Sequence, residues 1–287
     1  MVVASALARQ AFDRDGFVMV PDVLTADELH RYGAAVDAAV SARVGDDDRP
    51  MSEKSRYEQT FQQCMNLWED NPAVRELTFH EGLGELAASL LGADRLRIWI
   101  DQALYKLPGS RPTDPHQDWP LWPITPARQI TAWIPLGGST VEGGAMGYRP
   151  GSHRMGIAIF DTMERTIRAT AHGDDVPYPS IDHRELPDPV WVEAPAGSVV
   201  LHHSMTVHQA GPNNSSQPRR VHTIAYFEDG CSRSSAHPHQ SVDRQDTEPG
   251  RPVAGVVTPV VWPRPPGDMA ETPSAAGAGK PPRTGFR

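Results

Sequence analysis

The stretch "DPHQDWPLWP", residues 114–123, places His116 and Asp118 two positions apart. On an extended strand, side chains at i and i+2 project from the same face, so both can reach one ion while Gln117 points away. A third ligand is expected from "LHHSMTVHQAGPNNSSQPRR", where His208 ends an apolar run. Two imidazoles and one carboxylate on one side of an ion leave positions open for reactants, an arrangement typical of non-haem iron(II) oxygenases.

The histidine and aspartate pair is weak evidence by itself, because 12 histidines and 36 acidic residues produce such spacings by chance. An iron site of this kind also needs a co-substrate that supplies electrons. A 2-oxo acid such as 2-oxoglutarate would chelate the iron and present its distal carboxylate to the planar fork of an arginine. Arg219 follows His208 by 11 residues. Arg220 competes for this role, but strand alternation places the two arginines on opposite faces, so only one can serve.

Other histidines allow competing interpretations. His202 lies six residues before His208 on the same apolar run, so alternation predicts that it faces the interior, as a substrate contact or as a hydrogen-bonded core histidine. His153 is interpreted as part of a turn in which Ser152 bonds backbone groups. The "HPH" sequence at 237–239 is interpreted as a mobile surface loop rather than a metal clip.

The elements that must position these side chains change character along the chain. Residues 1–94 are expected to be mainly helical, after a short strand at 17–20. Thr25 and Glu28 form an N-cap signature for a helix from about 26 to 43. Apolar periodicity predicts further helices, which would cover 57–70, 72–79 and 82–93.

Residues 95–230 contain short β-type runs such as "QITAWIPL" and "RRVHTIAYF", separated by Gly, Pro, Asn and Ser clusters. This pattern is typical of an antiparallel barrel of two facing sheets. Residues 231–263 form a C-terminal extension, so that 1–263 make one catalytic domain. Residues 264–287, rich in Pro, Gly and Ala, are expected to remain unpacked and disordered.

Composition limits the partners. A net charge of -9 argues against nucleic acid and anionic membrane surfaces, which need clustered Lys and Arg. Cys64 and Cys231 are too few for a disulfide framework, which fits a reducing cytoplasm. No stretch reads as a secretory signal or a membrane span. The expected partner is therefore a small-molecule substrate, with the chain a cytoplasmic monomer or weak homo-oligomer.

Five blocks carry a family resemblance: "RIWIDQALYKLPG", "TDPHQDWPLWP", "QITAWIPL", "GGAMGYRPGSHRMG" and "GSVVLHHSMTVHQAGPNNSSQPRRVHTIAYF". In this order they resemble the phytanoyl-CoA dioxygenase family of iron(II)/2-oxoglutarate oxygenases. The segment "DGFVMVPDVLTADEL" is similar to that family's opening, so the resemblance covers most of residues 11–230. It implies a mainly β fold with flanking helices and a double-stranded β-helix (jelly-roll, cupin-like) core. It also implies Fe(II), with 2-oxoglutarate and O2 as co-substrates.

The resemblance implies roles for individual residues. The iron ligands would be His116, Asp118 and His208. The residues that would bind 2-oxoglutarate are Arg219, on its distal carboxylate, then Trp133, Thr131 and Gln102. Lys106, on the strand before the ligand loop, is a candidate contact of co-substrate or substrate. The residues themselves add three further substrate candidates: Trp119 and Trp122, which follow the ligand loop and either line the substrate pocket or pack in the core, and His202. One departure is Ala210, where the family often has a small hydroxylated residue, so one hydrogen bond to the oxo acid is in doubt.

The expected reaction is hydroxylation, or another oxidation, of a C–H bond in a small molecule of bacterial-type secondary metabolism. A CoA thioester would need a basic path for its phosphates, and the cations near the site are scattered: Lys106, Arg111 and Arg128. Three tryptophans instead indicate broad apolar walls: Trp99, Trp119 and Trp122. The alternatives are a jelly-roll metal-dependent isomerase and a non-catalytic small-molecule-binding protein.

Overall fold

The computed structural model describes residues 4–159, except 46 and 48, and residues 178–264. Its helices in chain order are α1 Ala6–Asp15, α2 Ala26–Val44, α3 Pro72–Thr78, α4 Glu81–Leu91 and α5 Gln240–Asp243. Its strands are β1 Phe17–Val20, β2 Gln62–Met65, β3 Leu96–Lys106, β4 Thr113–His116, β5 Ile124–Thr125, β6 Gln129–Pro135, β7 Met146–Tyr148, β8 Ile157–Ile159, β9 Ser180–Asp182, β10 Val190–Val192, β11 Val199–His203, β12 His208–Ala210, β13 Arg219–Glu228, β14 Ser232–Arg233 and β15 Val260–Trp262.

Two antiparallel sheets form the core. The major sheet has the order β1-β11-β6-β13-β3-β15, with β2 also paired to β3, and the minor sheet has the order β10-β7-β12-β4. Buried side chains from both sheets pack against one another, among them Trp133 and Val221 of the major sheet and Tyr148 of the minor sheet. The chain therefore folds as a mainly β, cupin-like jelly roll with flanking helices.

Helices cover the outer face of the major sheet. Apolar side chains of α2, α3 and α4, such as Val36, Leu77 and Leu86, share one buried cluster with Ile134 and Ile224 of the sheet. The N-terminus of α2 carries the expected capping box, in which Thr25 accepts from the Glu28 backbone and Glu28 accepts from the Thr25 backbone. These helices cover one side of the jelly roll, and its interior is lined by the inward faces of the two sheets.

The expectation of a helix over 57–70 is wrong. This segment contains β2, which pairs with β3 in the register Gln62↔Tyr105, followed by a short 3-10 helix at Leu67–Glu69. Asn66 between them adopts a left-handed conformation that interrupts any continuous helix. Pairing of this segment with the long strand β3 overrides its weak local preference for a helix.

The C-terminal extension is integrated into the fold. Strand β14 pairs with β5, and β15 pairs with the first residues of β3, with Val260 opposite Arg97. The predicted disordered tail falls outside the described residues, apart from Arg264. Among the described residues, no helix has the length and apolar character needed to cross a bilayer.

Candidate active site

The structure brings His116, Asp118 and His208 together between the sheets. His116 ends β4 and His208 begins β12, and the two are direct cross-strand partners. Asp118 Oδ1 lies 3.9 Å from Nε2 of His116 and 3.7 Å from Nε2 of His208. One ligand atom from each of the three residues lies within 4.8 Å of the other two. This is a three-ligand group of the size that can hold one metal ion.

Backbone carbonyls orient both imidazoles. Nδ1 of His116 lies 2.9 Å from the carbonyl of Asp114, and Nδ1 of His208 lies 2.9 Å from the carbonyl of Thr206. Since a carbonyl can only accept, each Nδ1 carries the proton and each Nε2 presents its lone pair to the interior. The tautomer required of a metal ligand is thus set by the fold.

Asp118 reaches this position by a different route from the one the spacing predicts. Strand β4 ends at His116, and Asp118 precedes a 3-10 helix at Trp119–Leu121. Its backbone N–H donates to the Ser204 carbonyl at 2.9 Å. Gln117 does point away, with its side-chain amide bonded to backbone groups of the neighbouring loops. A turn held by backbone bonds therefore places the carboxylate, where a regular strand was expected.

The ionisation of the group suits a cation. Burial, followed by the proximity of His116, lowers the pKa of His208 well below its usual range, so the imidazole is neutral. Burial by itself would raise the pKa of Asp118, but the neighbouring imidazoles of His208 and His202 outweigh it and hold the pKa below its usual range. Two imidazoles beside a carboxylate form a donor set that fits a divalent transition metal such as Fe(II).

The second carboxylate oxygen of Asp118 faces the major sheet. Thr131 Oγ1 donates to Asp118 Oδ2 at 3.3 Å, and His202 Nε2 lies 3.5 Å from the same oxygen. His202 does face the interior as predicted, but not by alternation along one run. It lies on β11 of the major sheet, whereas His208 lies on β12 of the minor sheet.

Arg219 and Arg220 point to opposite faces of β13. The Arg219 side chain is buried, and its Nη1 donates to the carbonyl of Gly144 at 2.6 Å. Arg220 is on the outer face and pairs with Asp37 of α2. Gly144 has a φ of +86°, and a Cβ there would lie 2.8 Å from the Gly211 carbonyl oxygen, so glycine is needed at this close approach.

Lys106 is the direct cross-strand partner of Arg219 and is also buried. Its Nζ donates to the carbonyls of Thr60 and Arg111, at 3.1 and 2.6 Å. Burial and the neighbouring Arg219 lower the pKa of Lys106 to about 7, and burial lowers that of Arg219 to about 10. Within the described residues, neither cation has a carboxylate partner, which leaves this part of the interior electrostatically suited to an anion.

Two buried donors near Arg219 have no hydrogen-bond partner among the residues that the structure describes. They are Nε of Arg219 itself and the indole Nε1 of Trp133, whose ring centroid lies 5.4 Å from the guanidinium carbon of Arg219. Buried donors of this kind are normally satisfied. A carboxylate that accepts from Arg219 fits the orphaned donors, so the residues present fit 2-oxoglutarate as well as the metal.

Gln102 lies on the inner face of β3 and belongs to a polar chain that the sequence did not reveal. Gln63 of β2 donates its amide N–H to Gln102 Oε1, and Tyr57 donates its hydroxyl to Gln63 Oε1. Gln63 lay within the segment expected to be helical, so its pairing with β3 was missed. This chain places two amide side chains at one wall of the interior.

The tryptophans divide into two groups. Trp119 is buried, donates its indole N–H to the Ile124 carbonyl at 2.8 Å and packs with Met205. It is therefore a core residue, the alternative to a role in the pocket. Trp122 is half-buried and its ring centroid lies 5.9 Å from that of Trp99. Trp99 is buried in a core cluster, which corrects the expectation that it lines the pocket, and of the three only Trp122 is partly exposed. Trp119 fixes the loop after Asp118.

The "HPH" segment is not a free surface loop. His239 stacks on Trp99 with ring centroids 4.5 Å apart, and its Nδ1 accepts from the Ser241 backbone at the start of α5. Burial lowers the pKa of His239 to about 3, so the ring is neutral. The segment is a loop, as expected, in which Pro238 is exposed and His239 packs on a tryptophan distant in the sequence. The turn at His153 is confirmed, with Ser152 Oγ bonded to backbone groups.

Two facing sheets that hold two histidines and a carboxylate between them define a cupin-like fold with a candidate metal site. A sequence profile of the phytanoyl-CoA dioxygenase (PhyH) family matches residues 12–221, and the chain belongs to this family. It is similar to a phytanoyl-CoA dioxygenase of Arabidopsis thaliana, with 30% identity over 172 residues, 58% of this chain and 56% of that protein. The chain spans about half the length of the first curated relatives it matches.

Solved structures extend the likeness over nearly the whole chain. The non-haem alpha ketoglutarate dependent carbocyclase SnoK from nogalamycin biosynthesis aligns with a TM-score of 0.70 and 29% identity, covering 90% of this chain and 96% of that one. The epimerase SnoN, in complex with Fe3+, alpha ketoglutarate and nogalamycin RO, aligns with a TM-score of 0.69 and 25% identity, covering 89% and 97%.

Proposed function

We propose that the protein is an iron(II)- and 2-oxoglutarate-dependent dioxygenase that oxidises a C–H bond of a small organic molecule. One observation carries the proposal. The interior holds a His116–Asp118–His208 group and a buried Arg219 that lacks a carboxylate partner among the described residues. Such a pair of sites suits one metal ion and one dianion bound beside it. Family membership supports the same reading.

The roles of the chain follow from this geometry. His116, Asp118 and His208 would hold the iron, which when bound supplies oxygen activation coupled to decarboxylation of 2-oxoglutarate. Arg219 binds the distal carboxylate of the co-substrate, and the Trp133 indole packs beside its guanidinium. The protein's own contribution is to orient two substrates next to one ion and to exclude water from that space.

The substrate we propose is a free, ring-bearing small molecule of secondary metabolism. The similar proteins SnoK and SnoN both come from nogalamycin biosynthesis. The half-buried Trp122 offers an apolar surface, and Gln102 offers a polar contact at the β3 wall. Of the cations considered near the site, Lys106 is buried on backbone carbonyls and Arg128 pairs with Glu228, which leaves little for CoA phosphates.

A metal-dependent isomerase or a non-catalytic binding protein of jelly-roll form is the rival. Such a protein could use the same three ligands without a co-substrate. It would have no need for a buried Arg219 whose Nε has no hydrogen-bond acceptor among the described residues, because burying a guanidinium costs free energy. The arginine therefore favours the oxygenase over both rivals.

The direct test is anaerobic titration. The protein with Fe(II) is titrated with 2-oxoglutarate, and the visible charge-transfer absorption of the chelated oxo acid is followed. We expect saturable absorption, and succinate release once O2 is admitted. Asp118→Ala should lose both signals while remaining folded by circular dichroism. Saturable Fe(II) binding without any response to 2-oxoglutarate would instead support the isomerase or binding protein.

The substrate class needs a separate experiment. Succinate release and O2 consumption are compared with three panels: polycyclic or sugar-bearing natural-product intermediates, acyl-CoA thioesters and the matching free acids. We expect stimulation by ring-bearing compounds, and loss of that stimulation in Trp122→Ala with 2-oxoglutarate binding retained. A preference for acyl-CoA over the free acids would reject the proposed substrate class without affecting the proposed reaction.

A further inference from the structure

His202 occupies a position that neither the metal group nor the co-substrate pocket explains. It is 2% exposed, on the inward face of β11, and its cross-strand neighbours are Thr131 of β6 and Phe17 of β1. Its Nε2 has no hydrogen bond in the described part of the structure and lies 3.5 Å from Asp118 Oδ2. A buried polar atom left without a bond so close to a carboxylate calls for a functional account.

The two oxygens of Asp118 have different surroundings. Oδ1 faces the two histidine ligands, at 3.9 Å from His116 and 3.7 Å from His208. Oδ2 faces the major sheet, where Thr131 donates to it and His202 lies beside it. A metal ion between the histidines would therefore meet one oxygen of the carboxylate, while the other is turned toward two side chains that can donate.

The hydroxyl of Tyr148 lies beside the second ring nitrogen of His202, Nδ1. The distance between these two atoms is 3.5 Å, and the Tyr148 ring stacks on Phe17 with centroids 4.6 Å apart. Burial, together with the charge of Asp118, raises the pKa of the Tyr148 phenol, so that it stays a hydrogen-bond donor. If Tyr148 donates to Nδ1, Nε2 carries a proton and donates from the nitrogen that faces Asp118.

We propose that His202 is a positioning residue, which with Thr131 holds Asp118 Oδ2 by hydrogen bonds and so makes Asp118 a one-oxygen ligand. The inference rests on the proposed iron site. A carboxylate that binds through one oxygen occupies one coordination position, whereas a two-oxygen carboxylate takes a second position that the oxo acid or O2 needs. Hydrogen bonds to ligating carboxylates orient them in this way in metal sites generally.

The test compares His202→Phe with His202→Gln. Phenylalanine fills the space but cannot donate, whereas the glutamine amide reaches about as far as Nε2 and restores a donor. The matched control is His203→Gln, since His203 is the next residue, is half-buried, and accepts from the Met205 backbone N–H instead of facing Asp118. Thermal unfolding of each variant first establishes that it folds.

The readouts are metal affinity and coordination. Each protein is loaded with Co(II) in place of iron, and its visible d–d absorption, which depends on coordination number, is recorded with and without 2-oxoglutarate. We expect His202→Phe to weaken metal binding about tenfold or more and to change the Co(II) spectrum. His202→Gln and His203→Gln should keep the wild-type spectrum and affinity within about threefold.

A wild-type spectrum and affinity in a folded His202→Phe variant would overturn the positioning role and leave the iron site intact. Equal losses of metal affinity in His202→Phe and His202→Gln would overturn it as well. They would show that the shape of the side chain matters and its hydrogen-bond donor does not. Failure of the wild-type protein to bind Co(II) or Fe(II) would reject the proposed function itself. The two failures are therefore distinguishable.

Discussion

His116 and His208, 92 positions apart in the sequence, are direct cross-strand partners whose ring centroids lie 4.2 Å apart. Their Nε2 atoms converge because each Nδ1 is tied to a backbone carbonyl two residues earlier in its own strand or turn. The donor pair is thus built into the minor sheet. A metal ion bound by both histidines would join β4 to β12 and should therefore stabilise the folded chain.

The first prediction concerns metal-linked stability. A ligand that binds only the folded state stabilises it by about 2.7 kcal/mol at 100 times its Kd, which for a chain of this size is about 5–10 °C in melting temperature. We expect Mn(II), or Fe(II) under anaerobic conditions, to raise the melting temperature by this amount, and EDTA to reverse it. His208→Ala should show no metal-dependent rise in differential scanning fluorimetry. An unchanged rise in that variant would mean that the metal binds elsewhere.

The second prediction concerns Arg219. Its guanidinium can meet a carboxylate with two parallel N–H bonds, which a lysine ammonium cannot reproduce. A loss of about 1.4 kcal/mol corresponds to a factor of ten in affinity. Arg219→Lys should raise the 2-oxoglutarate concentration needed for half-saturation about tenfold in the anaerobic titration. Arg220→Lys is the control, since Arg220 pairs with Asp37 on the outer face; a comparable loss in that variant would contradict the assignment.

The third prediction concerns the buried Lys106. Its pKa is lowered from 10.5 to about 7 in the folded state, mainly by burial and then by Arg219. Between these values the unfolded chain binds a proton that the folded chain lacks, so stability gains from Lys106 as pH rises. We expect the difference in free energy of unfolding between wild type and Lys106→Met to shift in favour of wild type from pH 7 upward, by up to about 1.4 kcal/mol per pH unit. Urea titrations at several pH values measure this, and parallel pH curves would refute it.

The fourth prediction concerns Asp101, which is fully buried between the major sheet and the helices. Its Oδ2 accepts from the Trp68 backbone at 3.1 Å and from Thr78 Oγ1 at 2.8 Å, and His222 Nε2 lies 3.4 Å away. Asp101→Ala leaves these groups without their acceptor and should lower the free energy of unfolding by about 3 kcal/mol.

The exposed Asp94 provides the control for that substitution, because Asp94→Ala removes a carboxylate from the surface. We expect its free energy of unfolding to change by less than about 0.5 kcal/mol. Chemical denaturation compares the two variants with wild type. Equal stability of Asp101→Ala and Asp94→Ala would show that the Asp101 hydrogen bonds contribute nothing net.

Much of the local structure followed from the sequence. Thr25 and Glu28 determine the start of α2 through hydrogen bonds within four residues, and no distant partner is needed. The two facing sheets followed from alternation and turn residues, and alternation also separated the inward Arg219 from the outward Arg220. The residues proposed as ligands were found because their types are chemically distinctive, although the local backbone at Asp118 was not the expected strand.

Contacts between distant segments of the chain could not be predicted from the sequence and depend on the tertiary structure. The pairing of β2 with β3, the stacking of His239 on Trp99 and the approach of His202 to Asp118 all join residues far apart in the chain. Their energies depend on burial and on which neighbour a strand or ring meets, quantities that no local pattern encodes. Periodicity indicates which face of a strand is buried. Only the assembled sheets determine what that face contacts, because the partners come from distant parts of the sequence.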